Sequence, residues 1–170
     1  MKTVRIVGID PGSRCTGFGV VDVAGRTSRY VASGCVRTRE GSHVARLEQI
    51  FHSLADVFRE YRPGAVALES VFMHRNADSA IKLGQARSAA LCAAYGVVSS
   101  DRVFEYAPRA VKQAVTGYGG ADKDQVQAMV KSLLKVDGKM SADASDALAV
   151  ALCHGFGLST AAALNRATGA

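Results

Sequence analysis

The sequence has no Cys-x-x-Cys pair, no repeat, no low-complexity linker and no long unbroken apolar run. Each absence removes a class of protein. The four cysteines, Cys15, Cys35, Cys92 and Cys153, have the spacing of neither a zinc site nor a small disulfide scaffold. Each lies among apolar or small residues, where a free thiol behaves as a small hydrophobe, so all four are expected to be reduced and structural. No stretch is expected to span a bilayer. The apolar residues after Met1 are broken by Arg5 and Asp10, which excludes a secretory signal. The expectation is a cytoplasmic protein with no membrane partner. Acids are in short supply too: 15 Asp and Glu face 21 Lys and Arg, a formal net charge of +6. That excess favours polyanionic partners, though modestly.

What is present reads as one α/β domain, for which 170 residues suffice. VRIVGID (Val4–Asp10) reads as a buried strand that turns at Pro11-Gly12 into a second strand, Gly17–Val23. Arg29–Arg37 alternates well enough for a third. His43–Tyr61 carries Val44, Leu47, Ile50, Phe51, Leu54, Val57, Phe58 and Tyr61 at helical spacing. AVALES (Ala65–Ser70) is a short strand ending on Glu69. Asn76 or Asp78 caps an alanine-rich helix running to about Tyr95, and Arg102–Tyr106 is a fifth strand. Pro108 opens a helix that Gly117, Gly119 and Gly120 stop. Asp122–Val136 is helical, and a last helix runs from Ser141 to about His154. This order predicts a five-stranded mixed sheet flanked by helices, its early strands antiparallel and its later ones parallel. Residues 1–157 form the expected domain, and 158–170 are expected to be a flexible tail.

Four carboxylates stand out by position. Asp10 and Glu69 each end a strand, and Asp143 and Asp146 share one face of the last helix. An acid at the end of a buried strand is poorly solvated, and neighbouring acids resist joint ionisation. Divalent cations would relieve both. A set of carboxylates without His or Cys is hard-oxygen chemistry, suited to Mg²⁺ or Mn²⁺ rather than zinc. Two such ions would suit phosphodiester hydrolysis. Taken singly, simpler roles compete: Asp143 and Asp146 could complement a helix dipole, and Asp10 could be a turn residue. Glu69 is the exception, since Glu is disfavoured in strands.

Four blocks then follow one another in order: GIDPG, LESVF with NADSA and KLGQAR, TGYGGADKDQVQAMV, and ADASDALAVALCH. From about Val4 to His154 the sequence resembles the RuvC family of bacterial Holliday junction resolvases. The resemblance implies a ribonuclease-H-like fold. It implies a homodimeric, Mg²⁺-dependent crossover junction endodeoxyribonuclease (Mn²⁺ substituting, one or two ions per subunit) acting in homologous recombination and DNA repair. Such an enzyme makes paired symmetric nicks in four-way junction DNA, leaving 5′-phosphate and 3′-hydroxyl ends. Asp10, Glu69, Asp143 and Asp146 fall on the family's acidic tetrad. RuvA and RuvB are the implied branch-migration partners. A related nuclease acting on other branched DNA or on RNA·DNA hybrid, or a non-catalytic junction-binding protein, are the alternatives.

The expected DNA contacts are Phe72, Arg75, Arg109, Lys112 and Lys123. Phe72, just past Glu69, could stack on a splayed base or anchor the following helix. Arg75 could approach bases or backbone near the cut. Lys112 and Lys123 match basic positions of the family, and a cation near the scissile phosphate would stabilise developing charge. Setting the four acids aside leaves 21 basic residues against 11 acidic, so binding should weaken steeply with salt. The helix around KLGQARSAALCAAYG is a plausible place for two subunits to meet, or for close packing on the chain's own sheet.

Overall fold

The computed structural model describes residues 3–70 and 76–168, with the side chains of 165–168 left aside. Its elements run β1 (Val4–Asp10), β2 (Cys15–Ala24), β3 (Thr27–Arg37), α1 (His43–Tyr61), β4 (Ala65–Glu69), α2 (Ala77–Tyr95), β5 (Val103–Tyr106), α3 (Pro108–Thr116), α4 (Lys123–Leu134) and α5 (Ala142–Thr168). The five strands form one sheet in the order β3-β2-β1-β4-β5. β1, β2 and β3 pair antiparallel, while β4 lies parallel to both β1 and β5. This is the mixed sheet expected from the sequence.

Strand periodicity sorts the core into two layers. Val7 and Ile9 of β1 join Ile50, Leu54 and Phe58 of α1 and Ala86, Ala90 and Ala93 of α2 on one side. Ile6 of β1 and Val21 and Val23 of β2 join buried residues of α3, α4 and α5 on the other. Of the expected α1 stripe, Ile50, Leu54 and Phe58 are buried, whereas Val44 and Phe51 face outward. The small residues Ala86, Ala90 and Ala93 of α2 pack inward on the chain's own core.

α5 lies unusually close to the sheet, because β1 and β2 present glycines beneath it. Gly8 faces Gly19 across the ladder, and Gly17 faces Asp10. A Cβ on Gly8 would stand 2.1 Å from the Ala147 carbonyl oxygen, and one on Gly19 would stand 2.7 Å from Leu148. Bare backbone thus leaves a groove in which the helix settles.

Two expectations about α5 are corrected. It does not end near His154 but continues to Thr168. Alanines after Gly157 favour helix, and Ser159 Oγ donates to the carbonyls of Gly155 and Gly25, tying this turn to the β2–β3 connection. Its Ala142–Leu164 stretch also has the length and apolarity of a membrane span, with half of the relevant window buried inside the protein. It is the central core helix, apolar because it contacts the sheet and both neighbouring helices.

A third correction concerns the cysteines. Cys15 and Cys35 are joined as a disulfide, with Cα atoms 6.1 Å apart. The β2–β3 ladder pairs Cys35 with Gly17 and Cys15 with Arg37, which makes the cysteines diagonal neighbours on one face, within disulfide reach. Cys92 and Cys153 are free.

Candidate active site

Strand parity decides where the two strand-end acids point. Asp10 shares its face of β1 with Ile6 and Gly8, and Glu69 shares its face of β4 with Ala65 and Ala67. Both faces look toward α5. β1 and β4 are neighbours in register, Ile9 opposite Leu68, so Asp10 and Glu69 leave the sheet side by side. The turn that frees Asp10 is held by Thr16, a fully buried residue whose Oγ1 donates to the Gly12 carbonyl at 2.7 Å.

The first turns of α5 bring the other two acids. Gly17 sits directly under Asp143, where a Cβ would stand 2.0 Å from its carbonyl oxygen. Asp146, one turn on, lines a cavity of about 270 Å³ with Asp10, Glu69, Pro108, Lys112 and Lys123. Asp143 lies beside this cavity, close enough to act on Asp10 electrostatically. The structure thus gathers all four acids at one end of the sheet.

The charge of this cluster is uncomfortable without a cation. Burial, followed by the fields of Glu69, Asp146 and Asp143, pushes the Asp10 carboxyl up to about 7, with Lys123 opposing. Glu69 is raised as well, first by burial and then by Asp146, against the pull of Lys123 and Lys112. The Lys123 ammonium is raised, chiefly by Asp146; its Nζ stands 3.4 Å from Asp146 Oδ2. Raised carboxyls that crowd one another and offer oxygen to a cation fit a hard divalent ion. Among the described residues the acids that line the cavity, Asp10, Glu69 and Asp146, could hold one, and Asp143 stands next to it.

Both lysines are placed by their helices. Pro108 opens α3 at its first turn, which carries Lys112 over the cavity. A capping box of Asp122 and Gln125 opens α4, so Lys123 is the first residue of that helix. Arg109 is not among the residues lining the cavity; its side chain lies against Gly119. Phe72 and Arg75 lie outside the described residues.

Sequence reasoning missed what stands behind and beside the acids. Tyr106, the register partner of Glu69, is hydrogen-bonded through its hydroxyl to His154 Nδ1 at 2.7 Å. The buried His154 ring stacks on Phe104, their centroids 4.1 Å apart. Burial lowers the His154 pKa, and the ring, bonded to Tyr106 and stacked on Phe104, props the β5 edge. Cys15 was also overlooked: its Sγ lies 3.2 Å from Asp143 Oδ2. Only the shared strand parity of Cys15 and Gly17 could have signalled it.

A mixed sheet in this order, with acids from two adjacent strands and a crossing helix, defines a ribonuclease-H-like protein with a carboxylate-rich site. A family model described as crossover junction endodeoxyribonuclease RuvC matches residues 6–154, and the chain belongs to the RuvC family. It is 52% identical over 167 residues to the crossover junction endodeoxyribonuclease RuvC of Aliivibrio fischeri (strain MJ11), covering 97% of this chain and 95% of that one. It is 56% identical over 149 residues to the protein so named in Marinobacter nauticus, covering 88% and 84%. The structure of T. thermophilus RuvC in complex with Holliday junction substrate superposes with a TM-score of 0.84 at 36% identity, covering 93% of this chain and 96% of that one.

Proposed function

We propose that this chain is a crossover junction endodeoxyribonuclease that nicks four-way DNA junctions symmetrically, with residues 1–157 as its nuclease unit. The observation that carries the reading is the meeting of Asp10, Glu69 and Asp146 with Lys112 and Lys123 in one cavity, in a chain of the RuvC family. Asp10, Glu69, Asp143 and Asp146 would hold Mg²⁺, or Mn²⁺ in its place, as one or two ions. When bound, the metal supplies an activated water and stabilises charge on the phosphate.

The protein's own part is separable. The strand ends hold two carboxyls that burial raises, Asp10 to about 7, which favours exchange of a proton for a cation at Asp10. Lys123 sets a cation beside Asp146, where it can also meet a phosphate oxygen. Lys112 adds a second charge over the same opening. Arg109, away from the cavity, is suited to a more distant stretch of DNA backbone. Phe72 and Arg75 complete the proposed DNA contacts.

A homodimer would present two such sites to a symmetric junction, and RuvA and RuvB are the proposed partners in a cytoplasmic recombination and repair reaction. Comparing labelled four-way junction, linear duplex and RNA·DNA hybrid in Mg²⁺ tests the reading. Selective paired nicking of the junction is expected. Preference for hybrid would replace it with a related nuclease, and binding without cleavage would leave only a junction-binding protein.

A further inference from the structure

Cys15 on β2, Cys35 on β3 and Asp143 on α5 offer two sulfurs and a carboxylate oxygen within 4.8 Å of one another, all partly buried. They come together for the reasons given above. Cys15 and Cys35 share the face of β2 and β3 that α5 covers, and Gly17 lets the first turn of α5 descend onto it. The site is unlike the acid cavity in its chemistry. Two thiolates and one carboxylate select soft or borderline cations over Mg²⁺, and three protein ligands with an open fourth position match the donor number of open zinc sites.

We propose that, once the disulfide is reduced, Cys15, Cys35 and Asp143 form a binding site for a thiophilic divalent cation such as Zn²⁺, and that its occupation withdraws Asp143 from the neighbouring Mg²⁺ site. A dithiol reductant opens the disulfide by exchange, delivering two electrons and two protons and leaving as a cyclic disulfide. Zn²⁺ then displaces the two thiol protons as it binds. In the disulfide form neither sulfur is a thiolate, so Asp143 is left to hard cations. The redox state of the pair therefore decides which class of cation Asp143 serves. Binding by the thiols is independent of the function proposed above; the competition with Mg²⁺ rests on it.

The test uses the full chain, reduced and then freed of reductant, titrated with Cd²⁺. A thiolate-to-cadmium charge-transfer band saturating at one equivalent is expected, and it should be missing from the oxidised protein and from a Cys15→Ser/Cys35→Ser variant. Alkylation of the unaltered protein serves as a check that needs no variant: Cd²⁺ should protect Cys15 and Cys35 while Cys92 reacts. No band with reduced protein, a band persisting in the double variant, or unprotected Cys15 and Cys35 overturns the site. In a junction-cleavage assay with excess Mg²⁺, stoichiometric Zn²⁺ should slow the reduced protein at least tenfold more than the oxidised one. Equal inhibition of both, with the cadmium band intact, overturns the competition for Asp143. Absence of any Mg²⁺-dependent cleavage would instead count against the proposed function, and the cadmium result would stand.

Discussion

Gly17 and Asp143 are in backbone contact: a methyl group on Gly17 would have to occupy the space 2.0 Å from the Asp143 carbonyl oxygen. No rotamer change relieves that clash, because the backbone fixes where a Cβ must sit and the oxygen it meets is main chain. Gly17→Ala should lift the N-terminal end of α5 from β2, costing about 1–3 kcal/mol or more. Denaturant unfolding should show the loss. Cleavage should fall further than stability does, since Asp143 and Asp146 move together.

Asp10→Asn keeps the shape of the strand end but removes one charge. Cleavage of a four-way junction should drop by about 100-fold or more, with junction binding retained in a gel-shift assay. Undiminished Mg²⁺-dependent cleavage by this variant would refute the metal-site assignment.

The proton on Asp10 makes two pH predictions. Its carboxyl is raised from an ordinary 3.8 to about 7, so below neutrality a cation must displace a proton. Apparent Mg²⁺ affinity should climb from pH 5 to 7, by roughly tenfold per pH unit for one proton, and level off above. Stability without metal runs the other way. A raised carboxyl contributes fully below its unfolded value and loses that contribution as pH passes its folded one. The metal-free protein should therefore melt at lower temperature at pH 8 than at pH 5, and Mg²⁺ should recover more of the loss at pH 8. Glu69, raised in the same direction, adds to the trend.

Lys123 is a different kind of residue. Its side chain is 78% exposed, and exposed ion pairs contribute little to stability, ~0–1 kcal/mol. Lys123→Met should leave the unfolding curve nearly unchanged while slowing cleavage by about 10-fold or more. If Lys123 meets a phosphate, the slope of log affinity against log salt should fall by about one.

At the far end of β1 and β2, Arg5 grips Asp22 with two hydrogen bonds, at 2.8 and 3.0 Å, while Arg29 adds a third at 2.9 Å. The Asp22 carboxyl is held low, mainly by Arg5. Asp22→Asn should cost about 1–3 kcal/mol without changing the cleavage rate of folded enzyme. In the unaltered protein this contribution is present above the unfolded carboxylate range and lost as pH falls through the depressed folded value. Comparing the two proteins by thermal melts at pH 7 and pH 3 checks both statements.

Much of this arrangement was legible because it depends on local pattern. The apolar run in VRIVGID marked β1 as a buried strand, and the apolar spacing from Val44 to Tyr61 marked α1 within its observed bounds. Pro108 marked the start of α3. Strand-end acids were visible because an acid after Val66, Ala67 and Leu68 has no apolar reason to be there. What escaped was contact between distant segments. Cys15 and Cys35 are 20 residues apart, and only the β2–β3 register makes them neighbours. The role of the glycines at 8, 17 and 19 is set by α5, which occupies the space they leave. α5 itself was cut short because its final turns are anchored by Ser159 to Gly25, a contact no periodicity announces.

The apolarity of α5 also bears on how the molecule is made. Every strand that shelters this helix precedes it in the chain, so a docking surface can be ready when α5 leaves the ribosome. A nascent protein whose sheet is late or damaged would instead display a helix that membrane-insertion machinery and chaperones are built to notice. Variants that weaken β1 or β2 should therefore show their first symptom as misrouted or chaperone-bound product, before any defect in the finished enzyme can be measured.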